Sequence, residues 1–208
     1  MFKKAFIIFA LMIVSLLPLA ADDITFDGGE SRISLKEGRE EVLLTGGATV
    51  KNGSLTIKSD EIKLTGKDWT TITCSGNVSI SDEERGITII TSSLWFDREA
   101  ERLLISTYFE LSDTTNEMTA SASSLEYRME EEMLTLAQGV TLSKVNEDDV
   151  IRCRAEKMSY SRNEEKAELR GGAKVTFKGN DYEAESISLD IKNDRITLSE
   201  KIRGNINA

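Results

Sequence analysis

A short word is written five times along this chain, and its spacing limits the possible folds more than any other feature. The copies are SDEIKL at 59–64, TSSLWF at 91–96, ASSLEY at 122–127, AEKMSY at 155–160 and AESISL at 184–189. Their central apolar residues, Ile62, Leu94, Leu125, Met158 and Ile187, follow at intervals of 32, 31, 33 and 29 residues. Other positions keep step. A Gly-x-Val stretch or its like opens most units, at 47–50, 76–78, 139–140 and 172–175. The third unit has Tyr108-Phe109-Glu110-Leu111 in that place and lacks the glycine. A second alternating stretch closes most units, at 71–74, 102–105, 133–136, 167–169 and 195–198. Units of about 31 residues that hold register at several positions, from 46 to 204, mark a stacked-repeat architecture.

Inside each unit the period is two. Val78-Ser79-Ile80, Leu94-Trp95-Phe96, Val140-Thr141-Leu142, Val175-Thr176-Phe177 and Ile187-Ser188-Leu189 alternate apolar with polar residues, the pattern of half-buried strands. Turn-forming clusters such as Lys51-Asn52-Gly53 and Asn146-Glu147-Asp148-Asp149 separate the runs. Each unit is therefore expected to hold about four short strands, with no helix after the N-terminal segment. Residues 128–136 are read as a hairpin, because Tyr127 and Met133 stay in strand phase. A single unit cannot bury its apolar face, whereas stacked units share one core. The expected fold is all-β: an elongated β-jellyroll or flattened solenoid of about five antiparallel repeats, with 22–208 as one domain.

The word itself implies a corner. A small residue (Ser59, Ser92, Ala122, Ala155, Ala184) is read three positions before each central apolar residue. In a regular strand, residues three apart point to opposite faces. If both point inward, the chain bends or bulges between them. At the N-terminus, 24–26 and 41–46 form half a unit around a charged insertion expected from Ser31 to Glu40. The stack would then end in open strand edges, with Ile24 and Phe26 at one end and Ile196, Leu198 and Ile202 at the other. Open edges are places for pairing with another chain.

Composition narrows the chemistry. The chain has no histidine, which removes the commonest general base and metal ligand. Its net charge of -10 opposes nucleic-acid binding, and no convergent nucleophile arrangement or compact basic cluster stands out, so an enzyme is the least favoured reading. No cofactor or metal site is expected. Lys3 and Lys4, an uncharged apolar run and small residues up to Ala21 have the layout of a secretory signal peptide cleaved after Ala21. The alternative is an uncleaved membrane anchor. Cys74 and Cys153 sit on inward-facing phases in units roughly 20–30 Å apart, too far for a disulfide. Both are expected to be buried free thiols.

The signal-like start, Gly76-Asn77-Val78-x-Ile80 and the successive units of small-[Asp/Glu/Ser]-x-apolar-x-[Tyr/Phe/Leu] resemble the OstA-like family of lipopolysaccharide-transport proteins. The resemblance covers nearly the whole chain after residue 21. It implies a β-jellyroll whose interior holds acyl chains, in a periplasmic protein that bridges inner and outer membranes. The implied lipid-contacting residues are Ile62, Leu64, Leu94, Phe96, Leu125, Tyr127, Met158, Tyr160, Ile187 and Leu189, with Val78, Ile80, Val140, Leu142, Val175 and Phe177 opposite. Implied partners are lipopolysaccharide or a similar lipid, LptC-like inner-membrane and LptD-like outer-membrane jellyroll proteins, and further copies of the chain joined head to tail. An LptC-like, membrane-anchored member of the same pathway is a second expectation, and a ligand-free structural β-solenoid a third.

Overall fold

The computed structural model describes residues 24–36, 38–146 and 149–205. The expected signal segment, 1–21, lies outside the described residues. Alternation is realised as fifteen strands: β1 (Ile24–Ser34), β2 (Glu41–Asn52), β3 (Leu55–Thr65), β4 (Thr71–Asp82), β5 (Ile87–Asp97), β6 (Arg102–Ile105), β7 (Phe109–Asp113), β8 (Met118–Ala122), β9 (Ser124–Arg128), β10 (Met133–Asn146), β11 (Asp149–Ser161), β12 (Lys166–Phe177), β13 (Asn180–Asp190), β14 (Arg195–Ser199) and β15 (Arg203–Asn205). All pairings are antiparallel neighbours in one continuous sheet. The order runs β1-β2-β3-β4-β5-β6-β9-β10-β11-β12-β13-β14, while β7 and β8 bridge β5 to β10 and β15 lies beside β13.

Most units therefore hold two long strands, where four short ones were expected. The physical reason is a bulge that carries the ladder through the corner without a turn. Gly46-Gly47 opposes Asp60, Gly76-Asn77 opposes Ser92, Gln138-Gly139 opposes Glu156 and Gly171-Gly172 opposes Glu185, each a two-against-one slip in register. All eight bulged residues have positive φ, which explains why six of them are glycine. The slip turns both halves of a strand inward. Ile57, Ser59, Ile62 and Leu64 of β3 are all buried although Ser59 and Ile62 are three apart.

The corner inferred from the word is thus present, with one correction. The small inward residue is Ser59, Ala122, Ala155 and Ala184 as expected, but in the second unit it is Thr91. Ser92 is exposed opposite the Gly76-Asn77 bulge; counting three back from Leu94 reaches Thr91. The hydroxyls of Ser59 and Thr91 satisfy themselves on bulge and link carbonyls, at 2.8 Å to Ser75 and 2.9 Å to Tyr108. In the third unit, without a glycine pair, the strand breaks: β6 and β7 are separate, with 106–108 between them. Phe109 and Leu111 still reach the core.

The bulges form a spine along which the sheet folds on itself. On one side lies half-sheet I, with the apolar pairs of the word. Half-sheet II carries the Gly-x-Val stretches. Their inner faces make one core running from Val42 to Ile191. Turns stack from unit to unit along both rims. Thr114 N–H donates to the Gly86 carbonyl at 2.9 Å on the rim of half-sheet II, and Met129 N–H to the Glu101 carbonyl at 3.0 Å on the other. Asp82, Asp113 and Asp190 cap these turns through the N–H three residues on. At the N-terminus, Ser31, Arg32, Ile33 and Ser34 pair with Leu44, Leu43, Val42 and Glu41. The expected insertion from Ser31 is therefore strand as far as Ser34.

Candidate functional site

Every interior residue implied by the family resemblance, from Ile62 to Leu189, is buried in this core. The word's pairs line half-sheet I and the Val78, Val140 and Val175 series lines half-sheet II. Burying so much apolar surface is the main drive for the two faces to meet. Ordinary packing accounts for each position alone; what the array adds is continuity along the stack.

The charged ends of the inward rows close the two rims over that interior. Four apolar rows each finish on a polar residue of the same parity: Val78-Ile80-Asp82, Phe109-Leu111-Asp113, Val140-Leu142-Lys144 and Met158-Tyr160-Arg162. All four polar ends are buried. Arg162, on the rim of half-sheet I, reaches across to half-sheet II: its Nε donates to Asp113 Oδ2 at 2.7 Å and its Nη2 to the Arg85 carbonyl at 2.9 Å. Arg162 Nη1 also donates to Glu132 on its own rim. Arg85 reaches back from the other side, donating from Nε to Glu132 Oε1 at 3.2 Å and pairing with Asp82 at 3.0 Å. The carboxylate of Glu132 thus joins two arginines that are 77 positions apart in sequence.

Further rungs extend this seam. Arg98 donates to Asn52 Oδ1 at 3.3 Å, Lys144 pairs with Glu165 at 3.3 Å and Lys178 with Asp194 at 2.6 Å. In each case one partner belongs to each rim. A covalent spine therefore closes one side of the roll and a row of side-chain contacts the other.

Electrostatics concentrate at the middle rung. The Asp113 side chain is 0% exposed and that of Arg162 6%. Burial opposes ionisation of Asp113, but the hydrogen bonds from Arg162 and Asn116, with the Arg162 charge, hold its carboxyl below the usual range. Asp82 behaves likewise, through bonds from Arg85 and Ser54 that outweigh burial. Arg162 is held more firmly protonated by Asp113 despite its burial. On the inward rows beside this rung, the hydroxyls of Tyr127 and Tyr160 are buried without an acceptor among the described residues, and the Arg162 guanidinium approaches that of Tyr127 as a donor.

Sequence reasoning missed this seam. No compact basic cluster is visible along the chain because Arg85 and Arg162 come together only through the roll, where four acids, Asp82, Glu101, Asp113 and Glu132, pair with them. Cys74 and Cys153 are free and buried, as expected; burial pushes both thiols up to about 12.

At the ends, the edge residues divide. Ile24, Ile196 and Leu198 pack partly against the core, whereas Phe26 is 44% and Ile202 58% exposed. β1 is paired on one side only and β14 and β15 lie beyond β13. Among the described residues, no cluster of metal-ligating side chains is present and no helix is long and apolar enough to cross a membrane.

No family model and no curated sequence matches the chain. Among solved structures it is similar to LptH of Pseudomonas aeruginosa, described as the LptA-homologous periplasmic component of the conserved lipopolysaccharide transport device, at 14% identity over 90% of this chain and 96% of that one, with a TM-score of 0.29.

Proposed function

We propose that this protein holds the acyl chains of an amphiphile between its two half-sheets. In this reading it is a periplasmic bridge that passes lipopolysaccharide or a related lipid from inner to outer membrane. The observation that carries the reading is the uninterrupted apolar interior from Val42 to Ile191, closed along one side by side-chain contacts rather than by the spine. Separating the rims would expose a continuous apolar face, and each acyl CH₂ placed on it gains about 0.8 kcal/mol. No catalytic group is needed for that work. The single-sided pairing of β1 and the exposure of Phe26 and Ile202 support end-to-end joining with jellyroll partners of the LptC and LptD kind, or with further copies.

Native mass spectrometry of protein purified from its own cell envelope tests the reading. Bound lipid of acyl-chain mass is expected. The tight burial of the whole interior favours a second reading, a structural roll without ligand. In that case only the bare polypeptide mass would be found.

A further inference from the structure

The five units serve as an internal comparison for one position, the last residue of the word. It is Leu64, Phe96, Tyr127, Tyr160 and Leu189 in turn. All five are buried on the inner face of half-sheet I. Leucine and phenylalanine satisfy the fold there, so a hydroxyl is not required by packing.

Yet two successive units carry one, and neither hydroxyl has a hydrogen-bond acceptor among the described residues; the Arg162 guanidinium approaches that of Tyr127, but only as a donor. A buried, unpaired hydroxyl costs about 1–3 kcal/mol, and such groups are rare enough to need a reason. The two tyrosines are also neighbours. Both stand opposite Leu134 of β10, Tyr127 from β9 on one side and Tyr160 from β11 on the other. Two strand spacings put them roughly 10 Å apart on one face.

Their position along the roll is equally specific. Tyr160 lies two residues before Arg162 in the inward row Met158-Tyr160-Arg162, and Tyr127 stands across Leu134 from it; the Arg162 charge is felt at both phenols. Both therefore sit under the buried middle rungs of the seam. Burial pushes the Tyr127 phenol up to about 12 and that of Tyr160 higher still, so each stays protonated and offers an O–H donor. Arg162 has no oxygen to accept such a proton. What the pair lacks is an acceptor.

We propose that Tyr127 and Tyr160 form a polar subsite inside the roll for the carbonyl oxygens of an acyl ester or amide. It rests on the reading that acyl chains lie between the half-sheets. The chains would occupy the apolar rows, and their linkage carbonyls would stop under the seam, each accepting from one tyrosine. The more polar part of the amphiphile would then face Arg85 and Arg162 at the rim. The subsite fixes how far the lipid sinks, a task the uniformly apolar units cannot perform.

A matched pair of probes isolates the carbonyls, one for each tyrosine: 1,2-dioctanoyl glycerol and its diether analogue 1,2-di-O-octyl glycerol, titrated calorimetrically below their aggregation concentrations. The wild-type protein is expected to bind the ester about tenfold more tightly, as two neutral hydrogen bonds imply. The double variant Tyr127→Phe, Tyr160→Phe should bind both probes equally, near the wild-type ether affinity. Its melting temperature should be close to the wild-type value or higher, because neither hydroxyl donates to an acceptor among the described residues. The single variant Tyr160→Phe should lose about half of the preference on a logarithmic scale. Equal binding of ester and ether by the wild type would overturn the subsite while leaving acyl binding intact; so would a double variant that keeps the preference. If neither probe binds the wild type, the acyl-binding reading falls and the subsite with it.

Discussion

Replacing Arg162 by leucine tests the seam most directly. The substitution removes three contacts and leaves the Asp113 carboxylate, 0% exposed, with only the Asn116 N–H at 3.0 Å and Asn116 Nδ2 at 2.9 Å. Stripping one partner from a buried ion pair costs about 3–5 kcal/mol. The surviving Asn116 bonds place this case near the lower end, about 3 kcal/mol. In urea, with a slope of about 2 kcal/mol per molar, the midpoint should fall by about 1.5 M. The double variant Asp113→Asn, Arg162→Leu removes both charges and should recover most of that loss, since apolar or neutral replacements of a whole buried pair are often tolerated. The loss should also shrink towards pH 4, because Asp113 without its cation takes up a proton more readily. A single-variant loss under about 1 kcal/mol, or a double variant no more stable than the single, would refute the account of the seam.

Three further outcomes follow from the same geometry. Gly171→Ala should destabilise by more than Gly172→Ala in thermal melts: both have positive φ, but a Cβ at Gly171 would meet Glu156 Cβ at 2.8 Å, whereas at Gly172 nothing lies within 4 Å. The αL penalty of about 1–2 kcal/mol is common to both, so equal losses would contradict the tight bulge. Asp82 and Asp113 have folded pKa values lowered from 3.8, so their contribution is present above about pH 4 and is lost as pH falls through those lowered values; circular dichroism should show little change from pH 5 to 8 and a cooperative acid transition below about 4. Cys74 and Cys153 lie five strands apart in the ladder, roughly 24 Å; thiol reagents should label neither in the native state and both in guanidinium, and mass spectrometry should find no bridge.

The sequence carried the repeat, the strands and the corner because each is a local rule: period two, a small residue, a recurring interval. Tyr127 and Met133 kept strand phase, and the hairpin at 128–136 is there as read. The same locality produced the errors. Two alternating stretches around a Gly-Gly pair look like two strands, since nothing local says that the ladder passes through the bulge. In the second unit the residue three before Leu94 is Thr91, whereas Ser92 is two before it and falls opposite the bulge. The seam could have been found: Asp82, Asp113, Lys144 and Arg162 continue apolar rows at inward parity, and a charge in that place demands a partner. Which partner is a different matter. The pairing of Arg162 with Asp113 spans 49 residues and depends on how far the half-sheets close, which no local pattern encodes.

One consequence of the broken third unit concerns how stiffness is distributed. Wherever a strand runs unbroken through a bulge, the angle between the half-sheets is fixed by continuous backbone. Between β6 and β7 that continuity is interrupted by 106–108, so torque passes less directly from one leaf to the other. The strand that follows the break, β7, ends in Asp113, the most deeply buried charge of the closure. The most deeply buried charge of the closure thus stands across the roll from the break in the spine.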